Sequence, residues 1–253
     1  MDLNLAGQVA IVTGSSQGIG LGIAERFARE GAKIVMTGRR ADALETAAEP
    51  LRSLTEVLTV PSDVRKAEDT KRVVEATVRR FGTVHVLVNN DGAPPLGPIE
   101  QFDDDTWDAA VERNLMSVVR MVREVVPYMR EQRNGAIVNI AALSAIQPMD
   151  GFGLSVATWA GLLGYAKSLA NEIGVHGIRI NTICPGYIDT PRLQKSMART
   201  GQSVDERAAQ TALKRIGQPD DIGAITAFLA SPLAGYVTGT AIQVDGGMFR
   251  GVR

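Results

Sequence analysis

The chain has 253 residues, 45% of them apolar and 22% charged, with a formal net charge of −1. That length buries a real core, and the near-neutral balance leaves no basic footprint for nucleic acid or a membrane surface. No apolar run approaches the ~20 residues of a bilayer span, and the lone Cys184 with only His85 and His176 offers neither a disulfide framework nor a His/Cys metal cluster.

The opening Met1-Asp2-Leu3-Asn4-Leu5 has no basic region followed by an apolar one, so no secretory signal and a cytoplasmic location are expected. Val9–Val12 reads as a buried strand. It breaks into a turn with Gly14, Gly18 and Gly20, then passes into a helix over 19–30. Strand, glycine turn and helix start in that order make an anion site. Backbone N–H groups and the helix's positive end converge, and the missing Cβ atoms let a pyrophosphate approach. Ser15 and Ser16 add hydroxyl donors, and Gln17 and Ile19 complete the loop facing a cofactor. Three glycines could also be mere punctuation.

The second strand, 33–37, runs into Gly38-Arg39-Arg40. Dinucleotide folds often place an acid here for the ribose 2′-hydroxyl. Two guanidinium groups suit a 2′-phosphate instead, so NADP is expected over NAD, with NAD and a plain basic loop as alternatives. A third strand, 56–60, leads to Pro61-Ser62-Asp63-Val64. Asp63 would accept from an adenine amino group or cap the helix over 66–81. The fourth strand, 84–88, ends in Asn89-Asn90-Asp91-Gly92, which suits a tight turn with backbone exposed to a cofactor, or only a turn. Asp103, Asp104 and Asp105 read as the N-terminus of a helix over 106–130.

A fifth strand (136–140), a helix (153–175), a sixth strand (178–184), a helix (219–229) and a seventh strand (241–244) follow. The strands are continuously apolar, as when helices cover both faces. The class is therefore α/β, a doubly wound parallel sheet of about seven strands, in one domain over 1–253. The polar stretch 190–215 lacks periodicity and contains Gly201. Residues 188–215 are expected to be a flexible cover over a ligand, or a plain surface loop. His85 and His176 are expected at the surface.

Several motifs stand together: Thr13-Gly14-x-x-x-Gly18-Ile19-Gly20, Asp63-Val64, Asn89-Asn90-x-Gly92, Asn114, Ile137-Val138-Asn139-Ile140, Arg179-Ile180-Asn181 with Pro185-Gly186 and Thr190, and Val244-Asp245-Gly246-Gly247. Over essentially its whole length the chain resembles the short-chain dehydrogenase/reductase family, in the single-domain branch that includes β-ketoacyl carrier-protein reductases. The resemblance implies a Rossmann-type sheet binding NAD(P), a small-molecule substrate, and a homotetramer or homodimer, with a hetero-oligomer as a further option. It also implies adenine, ribose and nicotinamide contacts for Asp63, Asn90 and the stretch from Pro185 through Ile188 to Thr190.

The family's chemistry uses Asn, Ser, Tyr and Lys. A tyrosine moves the proton, a lysine cation lowers its pKa, and a serine holds the substrate oxygen. By the register of the resemblance, the serine, tyrosine and lysine positions hold Ala142, Ser155 and Trp159, and Asn114 alone is retained. No Tyr-x-x-x-Lys occurs in the chain, and Asp91 stands where the family has alanine. Candidate substitutes are Ser144, two residues past Ala142, the short hydroxyl of Ser155, and Tyr187 at the pocket mouth as proton donor or apolar wall. Tyr165 and Lys167 lie about 15 Å along the helix from Ser155 and read as structural. Three functions follow: an oxidoreductase with a non-standard active site, an inactive cofactor-binding or partner subunit, or a non-redox enzyme with Asp91 as base.

Overall fold

The apolar runs become strands because each residue of a strand faces one of two helical layers. The computed structural model describes residues 2–252; Met1 and Arg253, the ends of the span read from the sequence, lie outside them. Seven strands form one parallel sheet: β1 (Val9–Val12), β2 (Lys33–Gly38), β3 (Val57–Pro61), β4 (Val86–Asn89), β5 (Gly135–Ile140), β6 (Ile178–Pro185) and β7 (Ala241–Val244). Their order is β3-β2-β1-β4-β5-β6-β7. The chain reverses direction across the sheet between β1 and β4, so a crevice opens at their carboxyl ends.

Alternation along the strands sorts the core into two layers. Ala10, Val12, Ile34 and Val88 pack with α1 (Gly18–Arg29), α2 (Ala41–Ala48) and α9 (Pro219–Ala230) on one face. Ile11, Val35, Leu87 and Ile180 pack with α3 (Ala67–Phe81), α5 (Ser117–Glu131) and α6 (Gly153–Ile173) on the other. Phe27 on α1 is fully buried and anchors the first layer, where α1 also packs along α9. Asp220 at the start of α9 receives Arg26 Nε of α1 at 3.0 Å, at the rim of that packing.

Three local expectations are corrected. The helix expected over 106–130 is α4 (Asp104–Val111), a π turn over Glu112–Met116, and then α5. A π turn adds one residue to a helical turn, and apolar spacing does not announce it. Asp103 does cap this helix, accepting from Thr106 N at 2.9 Å.

The stretch after β6 is not a loop. It carries α7 (Pro191–Thr200) and α8 (Val204–Ala209). Thr190 caps α7 by accepting from Leu193 N at 3.2 Å, Pro191 opens it, and Gly201 ends it at φ +70°. Ser203 and Glu206 form a reciprocal capping box for α8. These are end signals, not core signals: α7 is amphipathic, but it is short and poor in apolar residues, and only Met197 is buried.

His85 is also not a free surface residue. Its Nδ1 accepts from Val9 N at 3.0 Å, and burial pushes its pKa down. It fastens the start of β1. Among the described residues no helix is long and apolar enough to cross a membrane.

Candidate cofactor and substrate cleft

The glycine turn after β1 is shaped by Asn90 as much as by an incoming anion. Gly14 and Gly18 both sit at φ +59°, a backbone region where a Cβ is strained. A Cβ on Gly14 would lie 2.5 Å from Asn90 O, and one on Gly20 would lie 2.3 Å from Gly14 O and 2.6 Å from Asn90 Nδ2. Asn90 Nδ2 donates to Thr13 O at 3.1 Å and to Gly14 O at 3.2 Å. Asn90 thus locks the turn from below.

α1 then begins without a side-chain cap from Gln17 and without an acid in its first turn. Its first N–H groups and its positive end are left for a ligand, which fits a pyrophosphate. Ser16 and Ile19 remain partly exposed at this turn. Ser15 does not contribute a donor there. It is fully buried, and its Oγ accepts from Thr37 N at 3.0 Å, tying the turn to β2.

Arg39 and Arg40 follow β2 and are exposed at the same edge. Asp63 does not cap α3, whose N-cap is Lys66 with no side-chain cap. Its carboxylate is instead gripped by Arg65, with Nε to Oδ1 at 2.8 Å and Nη2 to Oδ2 at 2.5 Å. That hydrogen bond holds the Asp63 pKa down at about 2. Sequence reasoning missed Arg65, although its place two residues after the acid was the available signal. Val64 is buried beside this pair, whereas a Cβ on Gly92 would meet nothing within 4 Å.

A cleft of about 710 Å³ opens at the carboxyl ends of the strands. Gln17, Asn90, Ala142, Ser144, Ser155, Trp159, Tyr187, Ile188 and Thr190 all line it. Gly186 is needed where the chain crosses Asp245: a Cβ would sit 2.8 Å from Asp245 Cα. Pro185 ends β6 beside it, and Ile188 is buried and bridges to Gly217.

Ser144 and Ser155 are each 1% exposed, and neither Oγ has a hydrogen-bond partner. Buried hydroxyls are ordinarily paired, so two orphans in one cleft mark a place for a ligand oxygen. Asn114 sits in the π turn and donates through Nδ2 to Thr158 Oγ1 at 2.8 Å, which donates in turn to Leu154 O at 2.7 Å. It braces the first turn of α6, which carries Ser155.

Trp159 is buried in the second core layer, and it also walls a cavity of about 20 Å³ beside Asn114, room for about one water. Tyr187 donates to Gln210 Oε1 at 3.1 Å, accepts from Arg207 Nη1, and has the Arg207 guanidinium 4.5 Å from its ring centre. Its hydroxyl is therefore engaged with α8. Tyr165 lies outside the cleft, its pKa pushed up to about 12 by burial. Desolvation raises the Asp91 pKa although its side chain is 30% exposed, against the Gly92 backbone hydrogen bond and the pull of Arg113 at 4.0 Å.

Known proteins share this architecture end to end. A family model described as enoyl-(acyl carrier protein) reductase matches residues 14–249. A 3-oxoacyl-[acyl-carrier-protein] reductase of Thermotoga maritima is 35% identical, covering 97% of this chain and 99% of that protein. Dehydrogenase/reductase SDR family member 4 of Caenorhabditis elegans is 34% identical over 96% of this chain and 95% of its own length. The crystal structure of L-sorbose reductase from Gluconobacter frateurii, complexed with NADPH and L-sorbose, superposes with a TM-score of 0.95 at 37% identity over all of both chains. The chain belongs to the short-chain dehydrogenase/reductase family of NAD(P)-dependent oxidoreductases.

Proposed function

We propose that the chain is an NADP(H)-dependent reductase or dehydrogenase of a small carbonyl or alcohol, working without the family's serine, tyrosine and lysine. One observation carries this reading. A single cleft is lined both by Gln17 and Ile19, at the uncapped helix N-terminus, and by Ser144 and Ser155, whose hydroxyls are unpartnered. The bound nicotinamide supplies or takes up the hydride. The chain's own residues do the rest. The turn from Gly14 through Gly18 to Gly20, with Ser16, Gln17 and Ile19, holds the pyrophosphate.

Arg39 and Arg40 hold the 2′-phosphate, and the Asp63–Arg65 pair with Val64 flanks the adenine. Asn90 and Gly92 border the ribose, while Pro185, Gly186, Ile188 and Thr190 face the nicotinamide half. The NADPH in the sorbose reductase crystal supports the choice of NADP, and the 3-oxoacyl reductases support a carbonyl substrate.

Ser144 and Ser155 donate to the substrate oxygen and polarise the carbonyl. Neither hydroxyl is acidic enough to surrender its proton, so the proton reaches the oxygen from water in the open cleft. Asn114 acts through Thr158 to hold α6 and Ser155 in place, and Tyr187 is a wall fixed by Arg207. Holding hydride donor and acceptor together still accelerates transfer without the tyrosine. The family resemblance supports a homotetramer or homodimer.

The test has two parts: titration of the chain with NADPH by fluorescence, and NADPH oxidation over a panel of ketones and aldehydes. Binding with turnover is expected. Binding without turnover over a broad panel favours the second reading, a cofactor-binding partner subunit, to which the buried Trp159 at the cation's place also points. Absence of NADPH and NADH binding would remove both.

A further inference from the structure

The chain is charge-balanced as a whole, with 27 Lys and Arg against 28 Asp and Glu. The cleft is not. Arg113, Arg192, Lys195, Arg199 and Arg207 line it, against Asp91 as the single acid. Among the described residues, the only ion pair any of these five cations makes is Arg113 with Asp91, at 4.0 Å.

Arg113 and Arg192 both spend an Nη1 on the same carbonyl, Ala93 O, each at 3.2 Å, and Arg192 Nη2 reaches Pro94 O at 3.4 Å. Two guanidinium groups are thus brought to one oxygen, and of the two only Arg113 has an acid partner among the described residues. Arg192 is exposed by surface area, yet desolvation against the cleft wall, and then the like charges of Arg113 and Arg199, lower its pKa. Arg207 is fixed over the Tyr187 ring with its Nε buried and unpartnered. Arg192, Lys195 and Arg199 are exposed and Arg113 and Arg207 half-buried, so the crowding is not a burial cost; it concentrates positive potential and spare donors where an anion can bind.

We propose that the substrate carries an anionic group, a carboxylate or a phosphate, which the cleft cations led by Arg192 and Arg207 bind while Ser144 and Ser155 take its carbonyl or alcohol oxygen. This rests on the reading of the cleft as the substrate site of an NADP(H)-dependent enzyme. The same cleft is also lined by apolar side chains, Leu96, Met149, Phe152 and Leu193 among them, which suit the carbon skeleton of such a substrate. Charge-assisted hydrogen bonds from guanidinium are strong enough to make the anion decide affinity.

Two matched pairs test it by calorimetric titration: 3-hydroxyoctanoate against its methyl ester, and fructose 6-phosphate against fructose. Each is titrated into the chain alone and into the chain saturated with NADPH. In at least one pair the anion is expected to bind about tenfold or more tightly than its neutral partner. That preference should persist with NADPH bound, and the pair that shows it names the anion. It should shrink several-fold as salt is raised in the wild-type chain, and in Arg192→Gln/Arg207→Gln it should fall to about threefold or less.

Equal binding of anion and neutral partner in both pairs overturns the proposal, as does no binding of either anion. A preference that vanishes when NADPH saturates the chain assigns the cations to the cofactor's phosphates and also overturns it. Failure to bind NADPH removes the underlying reading instead, and the titrations of the chain alone still decide whether the cleft selects anions.

Discussion

A buried hydroxyl without a partner costs folding energy, so Ser144 and Ser155 should reveal themselves by a trade-off. Ser155→Ala and Ser144→Ala each remove an unpaired polar atom and are expected to stabilise the chain by about 1 kcal/mol. The same changes should lower kcat/KM by about tenfold, because a donor to the reacting oxygen is gone. Thermal melts and steady-state kinetics on the same preparations check both signs; a variant that loses stability and keeps activity shows a structural hydroxyl. Asp63 gives a pH signature. Arg65 holds its folded pKa at about 2, below the ~3.9 of an unfolded aspartate. The folded chain therefore favours the ionised form. That stabilisation is present in full above the unfolded value and is lost as pH falls through about 2. Arg65→Ala should cost about 1 kcal/mol near neutrality, a figure discounted because Arg65 is a third exposed. The cost should fade in melts taken at progressively lower pH.

At the scale of elements, the strand–turn–helix unit from Val9 to Arg29 joins folding to binding. Gly20→Ala forces a Cβ onto Gly14 O, in the turn after β1, and onto Asn90 Nδ2, just past the end of β4. It should lower stability by about 2 kcal/mol and weaken NADPH binding by at least about tenfold, read by melting and by fluorescence titration. A variant that melts early but binds NADPH normally once folded would show that this glycine serves packing alone. The unit was legible because continuous apolar strands, glycines and helix starts are local patterns. For that reason β1 and β7 fall on the residues expected, Val9–Val12 and Ala241–Val244. The π turn at Asn114 was not legible, since it depends on hydrogen-bond register rather than spacing. α7 and α8 were hidden for a different reason: they are short, bury little and carry few apolar residues, so their caps at Thr190 and Ser203 stood without a long apolar stripe beside them. The crowding of Arg113 with Arg192 joins residues 79 positions apart through a shared carbonyl, Ala93 O, and only the fold brings them together.

At the scale of the molecule, Trp159 places the second core layer and the proposed reaction in competition for one residue. It belongs to the core layer formed by α3, α5 and α6 and also lines the cleft. Trp159→Lys alone removes a large buried apolar side chain and adds a charge with no tyrosine to serve. It is expected to destabilise the chain by about 3 kcal/mol or more and to add no activity. The triple change Ala142→Ser, Ser155→Tyr and Trp159→Lys restores the family's serine, tyrosine and lysine at the register inferred from the resemblance. There the lysine has a phenol and a bound ribose to hydrogen-bond, so part of the burial cost is recovered. The triple variant should melt below wild type but above Trp159→Lys, and should gain NADPH-dependent turnover on simple ketones. Melting curves and NADPH oxidation on the three proteins separate the outcomes. If the triple variant folds and binds NADPH yet gains nothing, the register that assigns Ser155 and Trp159 to those roles is wrong. If it gains turnover, the sheet, the glycine turn and the cofactor edge are intact, and the departure from the family's chemistry is confined to three side chains of the substrate half.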